Sequence, residues 1–246
     1  MAIIVLQHCD HDTVKRLGVV LNEYGHELDV RRLHAGDPVP ADLDEVDGAV
    51  TLGGPQSANA NDAWVADELR FLRAVHEASL PVVGICLGSQ LLARALGGEV
   101  STMDRAEIGW HDIRLSPAGR EDPLFAGIGW THRQFHWHHD EVTKLPPGAR
   151  PLASSAHCKV QAWGAGLRTY AFQFHPEIDL GSIEQWMRQS PDELATAGMD
   201  AATLRAQSEE AYPAFERVAR RLFESLALFV MPIDRRYHGL VKDLHH

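Results

Sequence analysis

A cysteine, a histidine and a glutamate in this chain have the spacing and surroundings of a nucleophilic site. Cys86 lies between Gly84 and Gly88, after an apolar β-branched run and before a run of good helix formers. A sharp turn from strand to helix strains its apex residue and needs small neighbours on both sides. Such a nucleophile elbow would point the Cys86 sulfur outward beside helix amides, which favour the reactive thiolate.

A cysteine nucleophile needs a base, and the base needs a group that orients it. His175 ends the apolar run AFQF, and Glu177 follows two positions later. Because residues i and i+2 of an extended chain project to the same side, the carboxylate can fix the imidazole and stabilise its charged form. Taken alone, Cys86 is also consistent with a small buried apolar residue of the core. His175, as one of 15 histidines, carries little information by itself. Together they favour a Cys-His-Glu triad.

Attack on an amide creates a negatively charged oxygen, which preorganised donors must stabilise by about 3 kcal/mol each. The backbone amide of Leu87, directly after the cysteine, is one natural donor. A second is expected from the glycine-rich turn at Gly53 and Gly54. The alternative for this turn is a tight connection with no chemical role.

The first hundred residues alternate between short apolar runs and helical periodicity. The predicted strands are Ile3–Leu6, Leu28–Arg32, Val46–Leu52 and the run before Cys86. The first helix is expected to take Asp12 or Thr13 as its cap, and the second to begin near Asp62. This alternation predicts a parallel sheet with helices on both faces and a ligand site at the carboxyl ends of its strands.

After Gly98 the pattern changes to shorter strands separated by turns, which predicts an antiparallel addition to the sheet. From Ser182 onward the chain is helical again, and its last apolar stripe is interpreted as a packing face: Val218, Leu222, Leu226 and Phe229. The fold class is therefore α/β, with an open, mostly parallel mixed sheet, helices on both faces and extra C-terminal helices. We predict a domain over residues 1–190 and a C-terminal helical extension over residues 191–246, packed on that domain.

The composition excludes several function classes. A formal net charge of −11 gives no general basic field for nucleic acid. The three cysteines are an odd number without close spacing, which argues against a disulfide framework and favours a reducing compartment. The apolar run Ile3–Leu6 is too short for a signal peptide or a membrane span. We predict a cytoplasmic protein without a nucleic-acid or membrane partner, and we leave His245 and His246 aside as native residues or a purification tag.

Four histidines crowd one short segment and raise the question of a metal site: His132, His136, His138 and His139. Alternate histidines of a strand share a face and can hold zinc. No carboxylate-rich or cysteine-paired pattern in the sequence completes such a site. The sequence therefore predicts no metal ion and no cofactor.

Three motifs together resemble the class I, triad-type glutamine amidotransferases: GGP at 53–55, GICLGSQ at 84–90 and FHPE at 174–177. Their order and spacing also match, and the resemblance runs from about Ile3 to Trp186. It is closest to the amidotransferase domain of GMP synthase and its stand-alone relatives. Four segments resemble the stand-alone branch: LGGP, EIGW at 107–110, WHHD at 137–140 and LPPGA at 145–149.

The resemblance assigns a role to each matching position. It makes Cys86 the nucleophile, His175 the base and Glu177 the residue that orients the base. Gly54 and Leu87 match the two oxyanion-hole donors, and Gln90 matches the residue that holds glutamine. His139 and Asp140 match the two residues that bind its α-amino and carboxylate end. The last two have an ordinary structural loop as their alternative, and family members usually have a small residue where His139 stands.

The function implied is hydrolysis of the glutamine side-chain amide through a Cys86 thioester. The family usually passes ammonia to a synthetase, but this chain has no room for one and no phosphate-binding loop of the Walker type. An acceptor enzyme is therefore a separate subunit or absent. One alternative is a γ-glutamyl peptide or amide hydrolase with the same triad, and a second is a non-catalytic regulatory or partner-binding subunit.

Overall fold

Within residues 1–232, which the computed structural model describes, nine strands form one mixed sheet surrounded by helices. The strands are β1 Ala2–Gln7, β2 Leu28–Arg32, β3 Val46–Thr51, β4 Val82–Ile85, β5 Glu99–Leu115, β6 Thr131–Lys144, β7 Arg150–Ser154, β8 Ala162–Ala165 and β9 Thr169–Phe172. The helices are α1 Lys15–Glu23, α2 Ala63–Glu77, α3 Leu87–Ala95, α4 Pro117–Glu121, α5 Leu180–Gln189, α6 Pro191–Thr196 and α7 Ala201–Ser225.

The strand order is β2-β1-β3-β4-β9-β8-β7-β5-β6. The first five strands of this order are parallel, and the remaining pairs are antiparallel. The predicted mixed sheet with an antiparallel addition is therefore confirmed. Parallel pairing aligns the carboxyl ends of β1, β3, β4 and β9 at one edge, where a ligand site is expected.

Strand β9 comes from late in the chain and pairs with β4 in the middle of the sheet. Ile85 of β4 is the register partner of Phe172 of β9, and the amide of Cys86 donates to the carbonyl of Phe172 over 2.8 Å. The segment that follows β9 carries His175. This pairing therefore brings Cys86 and His175 together, although they are far apart in the sequence.

Helices cover both faces of the parallel strands, as the alternation along β1 shows. Ile3 and Val5 pack into a core with residues of α1 and α7, while Ile4 and Leu6 pack on the opposite face against α2 and α3. Successive side chains of a strand point to opposite faces, so one fully apolar strand serves two cores. No helix within residues 1–232 is both long enough and apolar enough to cross a bilayer.

The long β5–β6 hairpin extends the sheet, and its second strand was not predicted from the sequence. The β6 segment carries histidines and acids where an alternating strand usually shows apolar residues. One face of β6 does supply the apolar residue Phe135 to a third core beside α5 and α7. The opposite face buries polar side chains, including His136 and His138.

Helix α7 packs along α1 and the β5–β6 hairpin. Of the predicted apolar stripe, Leu222 and Leu226 are buried and Val218 is partly buried. The prediction that Phe229 belongs to this packing face is wrong, because its side chain is 56% exposed. The chain changes at Leu226 into a π-helical turn that ends at Val230, and Val230 takes the buried position instead. The division at residues 190 and 191 stays a prediction, and residues 233–246, with His245 and His246, lie outside the described part.

Gly88, in the first turn of α3, is a site where we expect a single methyl group to disrupt the fold. A Cβ there would lie 2.0 Å from the backbone oxygen of Thr51, and a backbone atom in the sheet cannot move aside. We expect Gly88→Ala to lower the free energy of unfolding by about 3 kcal/mol or more. Denaturant unfolding measures this, with Gly129→Ala as control, since its nearest atom would be 3.4 Å away. Equal stability of the two variants would contradict the close packing of the elbow.

Candidate active site

Cys86 occupies the turn between β4 and α3 in a strained backbone conformation. Its φ is +52° and its ψ is −109°, a combination that a residue with a side chain rarely adopts. The turn is so tight that a Cβ at Gly84 would lie 2.6 Å from the carbonyl oxygen of Gly88. Such strain persists only where the surrounding structure imposes it, and it is concentrated at functional sites.

His175 and Glu177 form a buried pair beside this turn. The Nδ1 atom of His175 lies 2.7 Å from Oε1 of Glu177, and the ring packs edge-on against Trp186 with centroids 4.8 Å apart. Burial disfavours the charged imidazole, but the charges and hydrogen bonds of Glu177 and Cys86 outweigh it. The pKa of His175 is consequently raised well above its ordinary value. The ring is therefore electrostatically coupled to both the cysteine and the carboxylate.

These groups border a cavity of about 380 Å³, a size typical of small-molecule sites. Cys86 and His175 both line it, whereas Glu177 lies behind the imidazole ring. All five further residues predicted for the site also line this cavity: Gly54, Leu87, Gln90, His139 and Asp140. The structure therefore brings the eight predicted residues to one place.

Hydrogen bonds fix the segment of β6 that faces the cavity. The Nε2 atom of Gln90 donates to the backbone oxygen of Asp140 over 3.0 Å, and also to Oε1 of Gln173 over 3.2 Å. The carboxylate of Asp140 accepts from the hydroxyls of Ser57 and Thr102 over 2.9 and 2.8 Å. Asp140 is therefore held by its neighbours before any ligand arrives.

A buried histidine supports the glycine-rich turn. The Nδ1 atom of His8 lies 3.1 Å from the carbonyl oxygen of Leu52 and 3.2 Å from that of Gly53, and Nε2 lies 2.9 Å from Oε2 of Glu68. Burial disfavours charge on the ring, but Glu68 outweighs it, so the pKa of His8 is raised. A charged ring can donate from both nitrogens, and it ties the turn to the carboxylate of α2.

Asp12 lines the cavity and was missed as a site residue. Helix α1 begins at Lys15 with Val14 at its N-cap position, so the predicted cap at Asp12 or Thr13 is wrong. A Cβ at Gly53 would lie 3.0 Å from Oδ2 of Asp12 and 3.1 Å from Cε1 of His175, which places that carboxylate beside the imidazole. Burial raises the pKa of Asp12. The position of Asp12 after the carboxyl end of β1 was the sequence signal that could have predicted it as a site residue.

One wall of the cavity comes from α5 and α6. The sequence analysis did not predict that these helices contribute to the site. Glu193 of α6 accepts from Nε1 of Trp137 over 2.7 Å, and it bonds Nε2 of His139 over 3.0 Å. Burial opposes charge on Glu193, but these bonds outweigh it and lower its pKa. Trp186 and Gln189 of α5 complete the wall. No local motif predicts these contacts, because they depend on how the helices fold back.

The crowded histidines separate into different surroundings. His132 bonds the carbonyl oxygen of Gly129, and His139 bonds Glu193, whereas His136 and His138 lie together. No sequence pattern brings a carboxylate to these histidines, but in the fold Glu107 approaches both His136 and His138. These three buried residues form a group that can hold a metal ion.

Comparisons with known proteins place these features in a family. The profile of the glutamine amidotransferase class-I family matches residues 8–190. The glutamine amidotransferase-like protein YfeJ of Salmonella typhimurium is 34% identical over 195 residues, which cover 76% of this chain and 81% of that protein. One subunit of the glutamine-hydrolyzing GMP synthase of Pyrococcus furiosus is 35% identical over 147 residues, 57% of this chain and 74% of that one.

A solved structure extends the similarity over nearly the whole described chain. The crystal structure of a glutamine amidotransferase from Methylobacillus flagellatus superimposes with a TM-score of 0.85 at 27% identity. The match covers 93% of this chain and 95% of the other. The mixed sheet, the helices on both faces and the extra C-terminal helices agree with this fold. The chain belongs to the class-I glutamine amidotransferase family.

Proposed function

We propose that this protein hydrolyses the side-chain amide of glutamine to glutamate and ammonia through a thioester on Cys86. The observation that carries this proposal is a strained cysteine that shares one cavity with a buried histidine–glutamate pair. The Cys86 thiolate attacks the γ-carbonyl carbon, and His175 gives its proton to the departing ammonia. Water then attacks the thioester, His175 takes the proton of that water, and glutamate leaves as the thiol is restored.

Glu177 is the positioning residue in this proposal. Its carboxylate occupies Nδ1 of His175 at 2.7 Å, so Nε2 is the nitrogen left to exchange a proton with the sulfur or the substrate. The fixed negative charge also stabilises the imidazolium that forms during attack. Burial of the pair excludes water that would weaken this interaction.

The backbone amides of Leu87 and Gly54 are the proposed oxyanion donors. Leu87 is the first residue of α3, and the amides of a helix's first turn have no partner within the helix. Gly54 has no space for a side chain, because a Cβ would lie 2.7 Å from Cβ of His8. Both residues line the cavity beside Cys86. Gln90, His139 and Asp140 are the proposed contacts of the glutamine substrate, the last two at its α-amino and carboxylate end.

A separate synthetase chain is the proposed acceptor of the ammonia. The Pyrococcus relative is one subunit of a glutamine-hydrolyzing GMP synthase, which supports a division of labour between chains.

The cysteines are free, which fits a reducing compartment and a cytoplasmic location. The family match ends at residue 190, which supports a domain over residues 1–190 with an extension after it.

Cleavage of γ-glutamyl amides or peptides is the second candidate function. The cavity is lined by His11 and Asp12 in addition to the predicted residues, and Asp12 lies on the side of the His175 ring. In the proposed reaction that ring faces the leaving group. Space bordered by a carboxylate at this point can accept an amine larger than ammonia.

Turnover of glutamine by the purified chain tests the proposed function and separates it from the alternatives. We expect equal amounts of glutamate and ammonia from glutamine, with a higher kcat/KM than for γ-glutamyl dipeptides. Cys86→Ala protein serves as the blank, and a cell extract tests for stimulation by a partner. Faster cleavage of dipeptides would favour the second function. No turnover of either substrate, with or without extract, would contradict both and favour a regulatory subunit.

Selective labelling is expected to distinguish Cys86 from the other two thiols. Burial and the charge of Asp12 raise the pKa of Cys9 to about 11, and burial raises the pKa of Cys158 well above its ordinary value. A glutamine-like diazoketone should therefore modify Cys86 first, because the thiolate is the reactive form. Peptide mapping after brief labelling measures this, and Cys9 is an internal control since it lines the same cavity. Equal labelling of Cys9 and Cys86 would contradict an activated nucleophile.

A further inference from the structure

We propose that Glu107, His136 and His138 bind one divalent transition-metal ion, such as Zn²⁺, in the wall of the candidate active site. These residues have no role in the amide hydrolysis proposed above. All three are buried, and one ligand atom from each lies within 4.8 Å of the others. Metal binding here is independent of whether Cys86 attacks glutamine.

The register of the β5–β6 hairpin builds this group. Glu107 of β5 is the direct partner of His138 of β6, and His136 lies two positions away on the same face. Oε2 of Glu107 is 3.2 Å from Nε2 of His138 and 3.6 Å from Nδ1 of His136. Two ligands bound at about 2.0–2.1 Å to a tetrahedral zinc ion lie about 3.4 Å apart. The two separations in the protein bracket that value.

His136 supplies an independent sign of a ligand. Its side chain is fully buried, and neither ring nitrogen has a hydrogen-bond partner among residues 1–232. Leaving a buried polar group unsatisfied costs about 1–3 kcal/mol. The Nδ1 atom of this ring faces the carboxylate of Glu107 at a distance too long for a hydrogen bond. An ion between the two groups would give Nδ1 of His136 a partner.

The tautomer of His138 leads to the same conclusion. Its Nδ1 atom lies 3.1 Å from the backbone oxygen of Asp140, which only a protonated nitrogen can approach as a donor. In the neutral ring, Nε2 then presents a lone pair to the carboxylate of Glu107. That nitrogen and the carboxylate oxygen, 3.2 Å apart, could bind one ion together.

Neighbouring groups fix the carboxylate as the outer shell of a metal site does. Ser155 donates its hydroxyl to Oε1 of Glu107 over 2.5 Å, and the side-chain amide of Gln161 donates to Oε2. The carboxylate is thus oriented without a ligand. His138 also lines the cavity, which gives an ion a route from solvent to this buried position.

The donor set selects the class of ion. Two imidazole nitrogens and one carboxylate oxygen suit Zn²⁺ and Co²⁺, whereas Mg²⁺ and Ca²⁺ prefer oxygen ligands only. Three protein ligands leave a fourth position for water. A bound ion would also join β5 to the segment of β6 that carries Asp140.

Titration with Co²⁺, followed by its absorption spectrum, and competition with Zn²⁺ test the site. The parent for these measurements carries Cys86→Ala, His245→Ala and His246→Ala, which removes three potential metal ligands outside the proposed site. We expect one ion per chain with a tetrahedral Co²⁺ spectrum. Glu107→Gln and His136→Gln are each expected to weaken Co²⁺ affinity at least about 100-fold.

Two histidine variants outside the group are the matched controls. His132→Gln and His157→Gln should bind Co²⁺ with the affinity and spectrum of the parent. Thermal melts without metal check that each variant is folded, and Glu107→Gln alone decides the matter if His136→Gln does not fold. No binding to the parent, or equal affinity in the parent and Glu107→Gln, would overturn the proposal. Neither result depends on glutamine turnover.

Discussion

Replacing Cys86 by alanine is expected to abolish glutamine hydrolysis while the protein stays folded. The substitution removes the sulfur that forms the thioester, and no other described thiol of the cavity has an activated environment, since the pKa of Cys9 is raised. Loss of a covalent nucleophile costs on the order of 10⁴-fold or more in kcat. The folded state should persist, because alanine fills nearly the same space at the strained turn. Steady-state ammonia release and a thermal melt measure the two effects.

Cys158→Ala is the matched control for this experiment. Its thiol is also buried, donates to the backbone oxygen of Val160, and does not line the cavity. We expect its kcat to equal that of the parent. Retained turnover in Cys86→Ala, or an equal loss in both variants, would remove Cys86 from the mechanism.

Glu177→Gln is expected to lower kcat on the order of 10²–10⁴-fold, and His175→Ala at least as much. The glutamine side chain keeps the shape of Glu177 but loses the charge that stabilises the imidazolium. Because Glu177 raises the pKa of His175, the variant should titrate this ring at a lower pH than the parent. The pH dependence of kcat/KM and an NMR titration of the ring measure this shift.

A surface carboxylate provides the comparison for Glu177. Glu184 pairs with Arg205 on the exposed side of α5, so Glu184→Gln should change neither kcat nor the pKa of His175. A merely structural role for Glu177 would lower the melting temperature without moving the titration of His175. A silent Glu177→Gln variant would mean that another carboxylate orients the base.

The elements that position Cys86 and His175 were predictable because their signals are local. Glycines on both sides of Cys86 indicate a strand-to-helix turn, and apolar runs before each residue indicate buried strands. Parallel pairing then places both strand ends at one edge of the sheet, as β4 and β9 show. The positions of these residues follow from the pattern, whereas their catalytic roles remain proposals.

The parts that were missed depend on contacts between distant segments. Glu107 meets His136 and His138 only through the register of a hairpin whose second strand reads as polar. Glu193 reaches the cavity because α6 folds back over it. Asp12 was assigned to a helix cap on local preference, but its carboxylate is buried beside the histidine of the site. Tertiary packing decided each case against a short-range pattern.

Detection of the transient thioester is the most direct test that Cys86 is the nucleophile in glutamine hydrolysis. The reaction with glutamine is quenched with acid during steady-state turnover, and the peptides are mapped by mass spectrometry. We predict one γ-glutamyl group on the peptide that contains Cys86, and none on that peptide from Cys86→Ala. Release of glutamate at an undiminished rate by Cys86→Ala, with no adduct on the Cys86 peptide of the parent, would contradict it.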